Sequence, residues 1–264
     1  MLTLAAARAM TFGGAIMTVA ALSACGSSTP AVSPAKPIPL ESAWHAGLFV
    51  DGYGPKGLGP EGTTDGSTDP VQTTLAGLGM ATADFGTGYS VHLVPNGDTL
   101  TAPAIDFCGA DYPSEKNRVA RRLVVLSDAK NTDLGVFTDA VEYDSAEHAT
   151  AALDELRKQI SDCSPHTAHS SNGQEILIAP RPTDGVIFTG LTSSSRRAVG
   201  SEMRMNTSSG MSSLTQGVWQ LNGKYVVSLT FLHDADTAFT AGDQKKFTAL
   251  AVLVAGRLAD SGTA

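Results

Sequence analysis

The sequence predicts an α+β fold in which an antiparallel sheet carries two main helices on one side, with one disulfide bond. Three observations predict it. Segments in which apolar and polar residues alternate, as in strands, dominate residues 89–232. Two segments show the spacing of amphipathic helices, one between strands and one after them. Of the three cysteines, two, at 108 and 163, lie in the same region and can form a bond. Runs of strands with separate helices are typical of α+β folds.

The N-terminus is typical of an exported protein. One charge, Arg8, precedes an apolar run that ends at Leu22, and this run is shorter than the roughly 20 residues that cross a bilayer. Residues 22–25, Leu-Ser-Ala-Cys, match the bacterial lipobox, whose cysteine is diacylated and begins the mature protein. Residues 1–24 are therefore predicted to be a signal peptide. Cys25 is predicted to anchor the protein to the cell membrane on its extracytoplasmic face, with an ordinary cleaved leader as the alternative.

Residues 25–70 are predicted to be a tether that begins at the lipidated cysteine. Four prolines lie among small residues before Leu40, a composition that gives a semi-extended linker. The later part is rich in Gly, Pro and Asp, which favours a loop, and it is open whether residues 41–70 pack on the domain. Residues 71–264 are then predicted to form a single extracytoplasmic domain.

Alternation of apolar and polar residues predicts the strands of this domain, and turn residues separate them. A short helix or strand over residues 71–80 precedes them. A last helix is predicted over residues 241–259, with five apolar residues on one stripe: Phe247, Leu250, Ala251, Val254 and Leu258. In chain order, the predicted strands span residues 89–94, 119–127, 136–143, 175–179, 186–193, 202–207, 214–221 and 224–232.

The first main helix is predicted to begin after a cap at Asp144 or Ser145 and to end at Cys163. Its apolar residues are spaced by four, three, four and three, which places them on one face: Ala149, Leu153, Leu156, Ile160 and Cys163. With Cys25 lipidated, Cys108 and Cys163 remain as a pair in an oxidising compartment. A bond between them closes about 55 residues and stabilises the fold by about 4 kcal/mol.

The clearest hairpin surrounds Asn-Gly at 222–223, a pair that supplies the left-handed residues of a type I′ turn. This turn predicts Val218 opposite Val227 on the buried face of the sheet. Trp219 then lies on the other face, where it must be covered or bind a ligand. Trp219 and Tyr225 are therefore candidate ligand-facing residues, with ordinary core packing as the alternative.

Composition and motifs argue against several classes of function. A net charge of −8 opposes nucleic-acid binding, which needs clustered Lys and Arg. Gly-x-Gly-x-x-Gly at 52–57 matches a dinucleotide fingerprint, but Pro55, Gly59 and Pro60 prevent the helix that such a site needs. Ser-x-x-Lys at 127–130 lacks the companion motifs of penicillin-recognising enzymes, and no catalytic triad is evident. We therefore expect no enzymatic activity and no cofactor.

Three polar groups could instead suggest metal or paired-carboxylate chemistry. Pro165 breaks any helix that would present the histidines of 166–169 together, so a solvated loop is expected there rather than a metal site. The cluster over residues 233–236 is expected to be a turn and helix cap. Asp106 and Glu115 are expected to cap a helix and to pair with the nearby arginine at 118.

Several short motifs occur in an order that resembles a known family. After the lipobox and tether come Asp-Phe-Cys-Gly at 106–109, Ser-Glu-x-x-Arg at 114–118, Val-Glu-Tyr at 141–143 and Asp-Cys at 162–163. Together they resemble actinobacterial lipoproteins with a PknH-like extracellular (sensor) domain, over residues 75–259. The resemblance implies a curved antiparallel sheet with two helices, a ligand-binding cleft and no enzymatic activity. The kinase sensor domain carries two disulfides whereas this chain can form one, which leaves the shape of the cleft open.

The combined expectation is a non-enzymatic, lipid-anchored binding or sensing module of the cell envelope. Its partner would be a small molecule, an envelope component or a protein. The alternative is a structural envelope lipoprotein that acts through protein–protein contacts. A concave apolar pocket would favour the binding or sensing module, and a flat exposed apolar patch would favour the structural lipoprotein.

Overall fold

One sheet and the helices packed on it make up the part of the chain that the structure describes. The computed structural model describes residues 69–85, 87–94, 97–101, 103–105, 112–128, 134–169, 175–182, 198–207, 212–233 and 239–261. In chain order these form α1 (Pro70–Leu78), β1 (Tyr89–Leu93), β2 (Arg118–Asp128), β3 (Leu134–Tyr143), α2 (Ala146–Asp162), β4 (His166–His169), β5 (Glu175–Pro182), β6 (Ala198–Thr207), β7 (Ser212–Asn222), β8 (Tyr225–His233) and α3 (Ala241–Ser261). Short 3-10 helices lie at Thr82–Asp84 and Pro113–Asn117. The predicted strand over 186–193 lies outside the described residues.

The sheet has eight antiparallel strands in the order β1-β2-β3-β8-β7-β6-β5-β4. The chain forms β1 to β3 at one edge, passes through α2 to the other edge, and returns strand by strand from β4 to β8. β8 pairs with β3 on one side and with β7 on the other. The predicted antiparallel α+β architecture is therefore confirmed.

The helices pack on both faces of the sheet, so the prediction that they share one side is wrong. Val226 of β8 belongs to the apolar cluster around α2, whereas Val227 belongs to the cluster that contains α1 and α3. Consecutive strand residues point to opposite faces, so α2 covers one face, and α1 and α3 cover the other. We call these the α2 face and the α3 face. Residues 226–229 are all buried, which is typical of a strand covered on both sides.

The two long helices present the apolar stripes that their spacing predicts. In α2 the buried residues are Ala149, Ala152, Leu153, Leu156 and Ile160. In α3 they include all five predicted stripe residues: Phe247, Leu250, Ala251, Val254 and Leu258. Ser145 caps α2 by accepting a hydrogen bond from the backbone N–H of His148, at 3.1 Å. No helix within the described ranges is both long enough and apolar enough to cross a membrane.

The β7–β8 hairpin turns one residue later than predicted. The turn consists of residues 223–224, and Gly223 takes a φ of +56°, a left-handed conformation that glycine adopts without a steric cost. Val218 therefore lies opposite Leu229 rather than opposite Val227. The residue opposite Val218 is two positions further along β8 than predicted. Because side chains alternate between faces with a period of two, every side chain keeps its predicted face.

Candidate functional site

The two candidate ligand-facing residues lie on opposite faces of the sheet. Trp219 lies on the α2 face, at the border of the α2 cluster, and keeps part of its surface exposed. Tyr225 lies on the α3 face, where it packs against the cluster that contains Val227. The Lys224 ammonium lies 5.5 Å from the centre of the Tyr225 ring. The structure therefore does not bring Trp219 and Tyr225 into one site.

Trp219 extends along its own strand, over Gly217. A Cβ atom at position 217 would lie 2.8 Å from Cη2 and 3.0 Å from Cζ3 of the indole, closer than carbon atoms pack. The two residues are separated by two positions and so share a face. The long axis of the indole therefore runs along β7 over the sheet, and the absence of a side chain at Gly217 provides the space for it.

Four hydroxyl side chains surround Gly217 on the α2 face. Ser201 on β6 and Thr230 on β8 lie directly opposite it. Thr215 lies two residues before it on β7, and Ser228 lies opposite Trp219. We call these four residues, with Gly217 and Trp219, the hydroxyl floor.

The hydroxyl floor is partly accessible. Ser201 and Ser228 are buried, whereas Thr215, Thr230 and Trp219 each keep part of their surface exposed. The Thr215 hydroxyl oxygen is itself buried and has no hydrogen-bond partner among the described residues. Buried hydroxyls ordinarily have a partner, so this oxygen has unused hydrogen-bonding capacity.

A charge-compensated carboxylate borders the floor. Asp139 on β3 lies opposite Ser228. The Arg121 Nε donates to both its oxygens, at 3.1 and 3.0 Å, and Nη2 donates to Oδ2 at 2.8 Å. Burial raises the pKa of Asp139, while the hydrogen bonds and charge of Arg121 act in the opposite direction. Asp139 therefore brings little uncompensated charge to the floor.

A second polar group lies around Tyr143, also on the α2 face. Tyr143 is fully buried, and its hydroxyl has no hydrogen-bond partner within the described ranges. Burial raises the pKa of this hydroxyl, and the Glu115 charge adds to the effect. Glu115 pairs with Arg118 at 2.8 Å, as predicted, and accepts hydrogen bonds from the backbone N–H groups of Ala104 and Ile105 at 3.0 and 3.2 Å. These bonds fasten the 3-10 helix to the preceding loop, which is a structural role.

The other predicted site residues are mostly outside the described ranges: Cys25, Cys108, Asp106, Asp234 and Asp236. Cys163 follows the last turn of α2 and packs against the α2 cluster. Its Sγ lies 3.8 Å from Nδ1 of His166. His166 begins the edge strand β4, so the expected loop is wrong. Within the described ranges, no group of three or more His, Cys, Asp or Glu is placed to hold a metal ion.

Sequence reasoning identified Trp219 but missed the residues around it. They come from three strands and become neighbours only through the register of the sheet. The sequence did indicate part of this surface: in β8, Ser228 and Thr230 alternate with Val227, Leu229 and Phe231 and so lie on the opposite face of the strand.

Comparison with known proteins leaves the family of this chain open. No protein-family model matches it, and no curated protein matches it. Among solved structures, it is similar to the extracellular domain of PknH from Mycobacterium tuberculosis, with a TM-score of 0.37 and 12% sequence identity. The alignment covers 56% of this chain and 66% of that domain, just under two thirds of its length. Membership of a lipoprotein family therefore stays a prediction.

Proposed function

We propose that this chain is a non-enzymatic binding or sensing module, held on the outer side of the cell membrane by a lipid at Cys25. The hydroxyl floor is its binding surface. The observation that supports this best is the Trp219 indole extended over Gly217 among four hydroxyls. Ligand sites in proteins combine apolar or aromatic surface with a few well-placed polar groups. The floor offers both, and part of it is exposed.

The exposed apolar residues bear on the alternative of a structural role. Among the described residues, large hydrophobic side chains are exposed on α1, β2, β5 and one loop: Val71, Val119, Leu177 and Leu100. Val119 and Leu177 belong to different strands at opposite ends of the sheet. Single exposed apolar residues are ordinary on protein surfaces, whereas a docking face is a continuous patch. Because Val119 and Leu177 lie far apart in the sheet, the exposed apolar residues among those described do not form one docking face across it, which gives the structural alternative no support from such a face.

The proposed disulfide fits the packing around α2. Ile105 and Tyr112, which lie on either side of Cys108 in sequence, belong to the same apolar cluster as Cys163. Cys108 follows Ile105 by three residues, which is about 10 Å of extended chain at most. We therefore propose a bond between Cys108 and Cys163, as expected for a domain in an oxidising compartment.

The binding function is tested by native mass spectrometry of the full chain, extracted from its own cell envelope in mild detergent. We expect a bound small molecule in the wild type that is absent from Trp219→Ala. Tyr225→Ala, an aromatic truncation on the opposite face, serves as the matched control and should retain it. A molecule retained equally by Trp219→Ala would exclude the hydroxyl floor. If no bound molecule is found in any form of the protein, the binding-module proposal fails.

A further inference from the structure

We infer that the ligand of the hydroxyl floor is a neutral saccharide. This inference rests on the proposed function and adds the chemical class of the ligand. It follows from one juxtaposition: an indole along the sheet, four hydroxyls around the glycine beneath it, and a carboxylate already bound by a guanidinium.

The hydroxyls match a ligand that is itself rich in hydroxyls. A Ser or Thr hydroxyl donates one hydrogen bond and accepts others, so it is best satisfied by groups that also do both. The Thr215 oxygen is buried without a partner among the described residues, and Thr230, diagonally across on the neighbouring strand opposite Gly217, is partly exposed. Sugar hydroxyls both donate and accept hydrogen bonds and therefore meet this requirement.

The indole matches the other side of a sugar. A pyranose ring has an apolar face of C–H groups as well as a rim of hydroxyls. Aromatic rings carry negative charge density on their faces, and this attracts weakly positive C–H groups. Trp219 and Thr230 each keep part of their surface exposed on the α2 face, so the inference places the apolar face of the sugar on the indole and its hydroxyls toward Thr230.

Charge favours a neutral ligand. Asp139 lies opposite Ser228 at the border of the floor, and its oxygens accept three contacts from Arg121 at 2.8–3.1 Å. It therefore offers little attraction to a cation, and the net charge of −8 opposes the approach of an anion. A cation held over the Trp219 ring is the rival class, and the experiment includes it.

The test is binding of the full chain in detergent to an array of neutral mono- to hexasaccharides, with acidic saccharides and choline as further arms. Thr230→Val removes one hydroxyl but keeps the branched shape that suits a strand, and Ser228→Ala is the second variant if that one fails to fold. Thr167→Val, an exposed strand threonine away from the floor, is the matched control. We expect at least tenfold weaker binding to a neutral saccharide for Thr230→Val and Trp219→Ala, and no change for Thr167→Val.

Fluorescence locates the bound molecule. The chain has two tryptophans, so Trp44→Phe leaves Trp219 as the only indole, and its emission should change saturably with the neutral saccharide. Saturable binding of choline or an acidic saccharide in place of the neutral one would overturn the class while leaving the hydroxyl floor as the site. Neutral binding that neither Thr230→Val nor Trp219→Ala weakens would overturn the assignment to the floor. If no array member binds, the inference fails, and native mass spectrometry shows separately whether the proposed function survives.

Discussion

Arg121→Met should destabilise the domain by about 3–5 kcal/mol, the usual cost of leaving one partner of a buried ion pair alone. Both side chains are only 7% exposed, and Asp139 would lose its three contacts from Arg121. A change of this size lowers the folding equilibrium constant by about two to four orders of magnitude. The matched control is Arg157→Met, which breaks an exposed ion pair with Asp154 in α2 and should cost less than about 1 kcal/mol.

The loss in free energy of unfolding caused by Arg121→Met should become smaller as the pH falls. Burial already raises the pKa of Asp139 above its ordinary value of 3.8, and loss of the guanidinium raises it further because the carboxylate loses its stabilising charge. A carboxyl whose pKa is raised on folding contributes stability that is fully present below its unfolded pKa and is lost as the pH rises through its folded pKa. The variant should therefore be closest to wild type at acidic pH and furthest from it at neutral pH.

Urea unfolding followed by circular dichroism at pH 7 and pH 5 measures both effects. The double variant Arg121→Met/Asp139→Leu removes both charges and should be more stable than Arg121→Met alone, because no buried charge remains. The reasoning is refuted if Arg121→Met costs no more than Arg157→Met. It is also refuted if the double variant is no more stable than Arg121→Met.

Four further predictions concern separate parts of the chain. Leu156→Ala should cost about 2–5 kcal/mol in urea unfolding because it opens a cavity under α2; a cost below about 0.5 kcal/mol would mean that this helix face is exposed. Desolvation raises the pKa of Asp243, but hydrogen bonds from the backbone and hydroxyl of Thr240, just before α3, outweigh it, and the net effect is a lowered pKa. The ionised Asp243 carboxylate therefore stabilises the fold above its ordinary pKa of 3.8, and this contribution is lost as the pH falls through the lowered pKa. The unfolding midpoints of wild type and Asp243→Asn should converge in strong acid, and a constant gap between them would contradict this. Cys25→Ala should release the protein from the membrane fraction, and unchanged partition would rule out the anchor. Non-reducing peptide mapping should show Cys108 linked to Cys163, and two free thiols would reject the bond.

Local periodicity predicted most elements because it depends on neighbouring residues alone. The stripe of α2, including Leu156, and the alternation along β8 follow directly from spacing. The face that each helix covers depends on how α2 crosses the sheet, which no local pattern encodes. The hairpin was displaced because Asn222 extends β7 and its amide donates to the Leu258 carbonyl at 2.6 Å. That contact joins residues far apart in sequence.

The buried polar residues were the hardest to predict. Charged side chains are rarely buried unless they are paired, so Arg121 and Asp139 read as surface residues until the sheet register brings them together. Lys246 is likewise only 1% exposed, with Asp243 at 3.4 Å. Among the residues of the hydroxyl floor, Trp219 could be predicted as a candidate ligand-facing residue because a large aromatic side chain is unusual on the face opposite the buried Val218. Ser201 and Thr215 become notable only beside Gly217.

The position of β8 has a consequence for synthesis. Among the described residues, β8 is the strand that joins β1–β3 to β4–β7 in the sheet, and it comes after all the other described strands along the chain. A ribosome must therefore synthesise the chain through residues 225–233 before the sheet becomes continuous. A product truncated before Tyr225 would leave β3 and β7 with unpaired backbone groups, and such edges template association with other chains. Incomplete molecules of this protein should therefore aggregate rather than persist as half-sized domains.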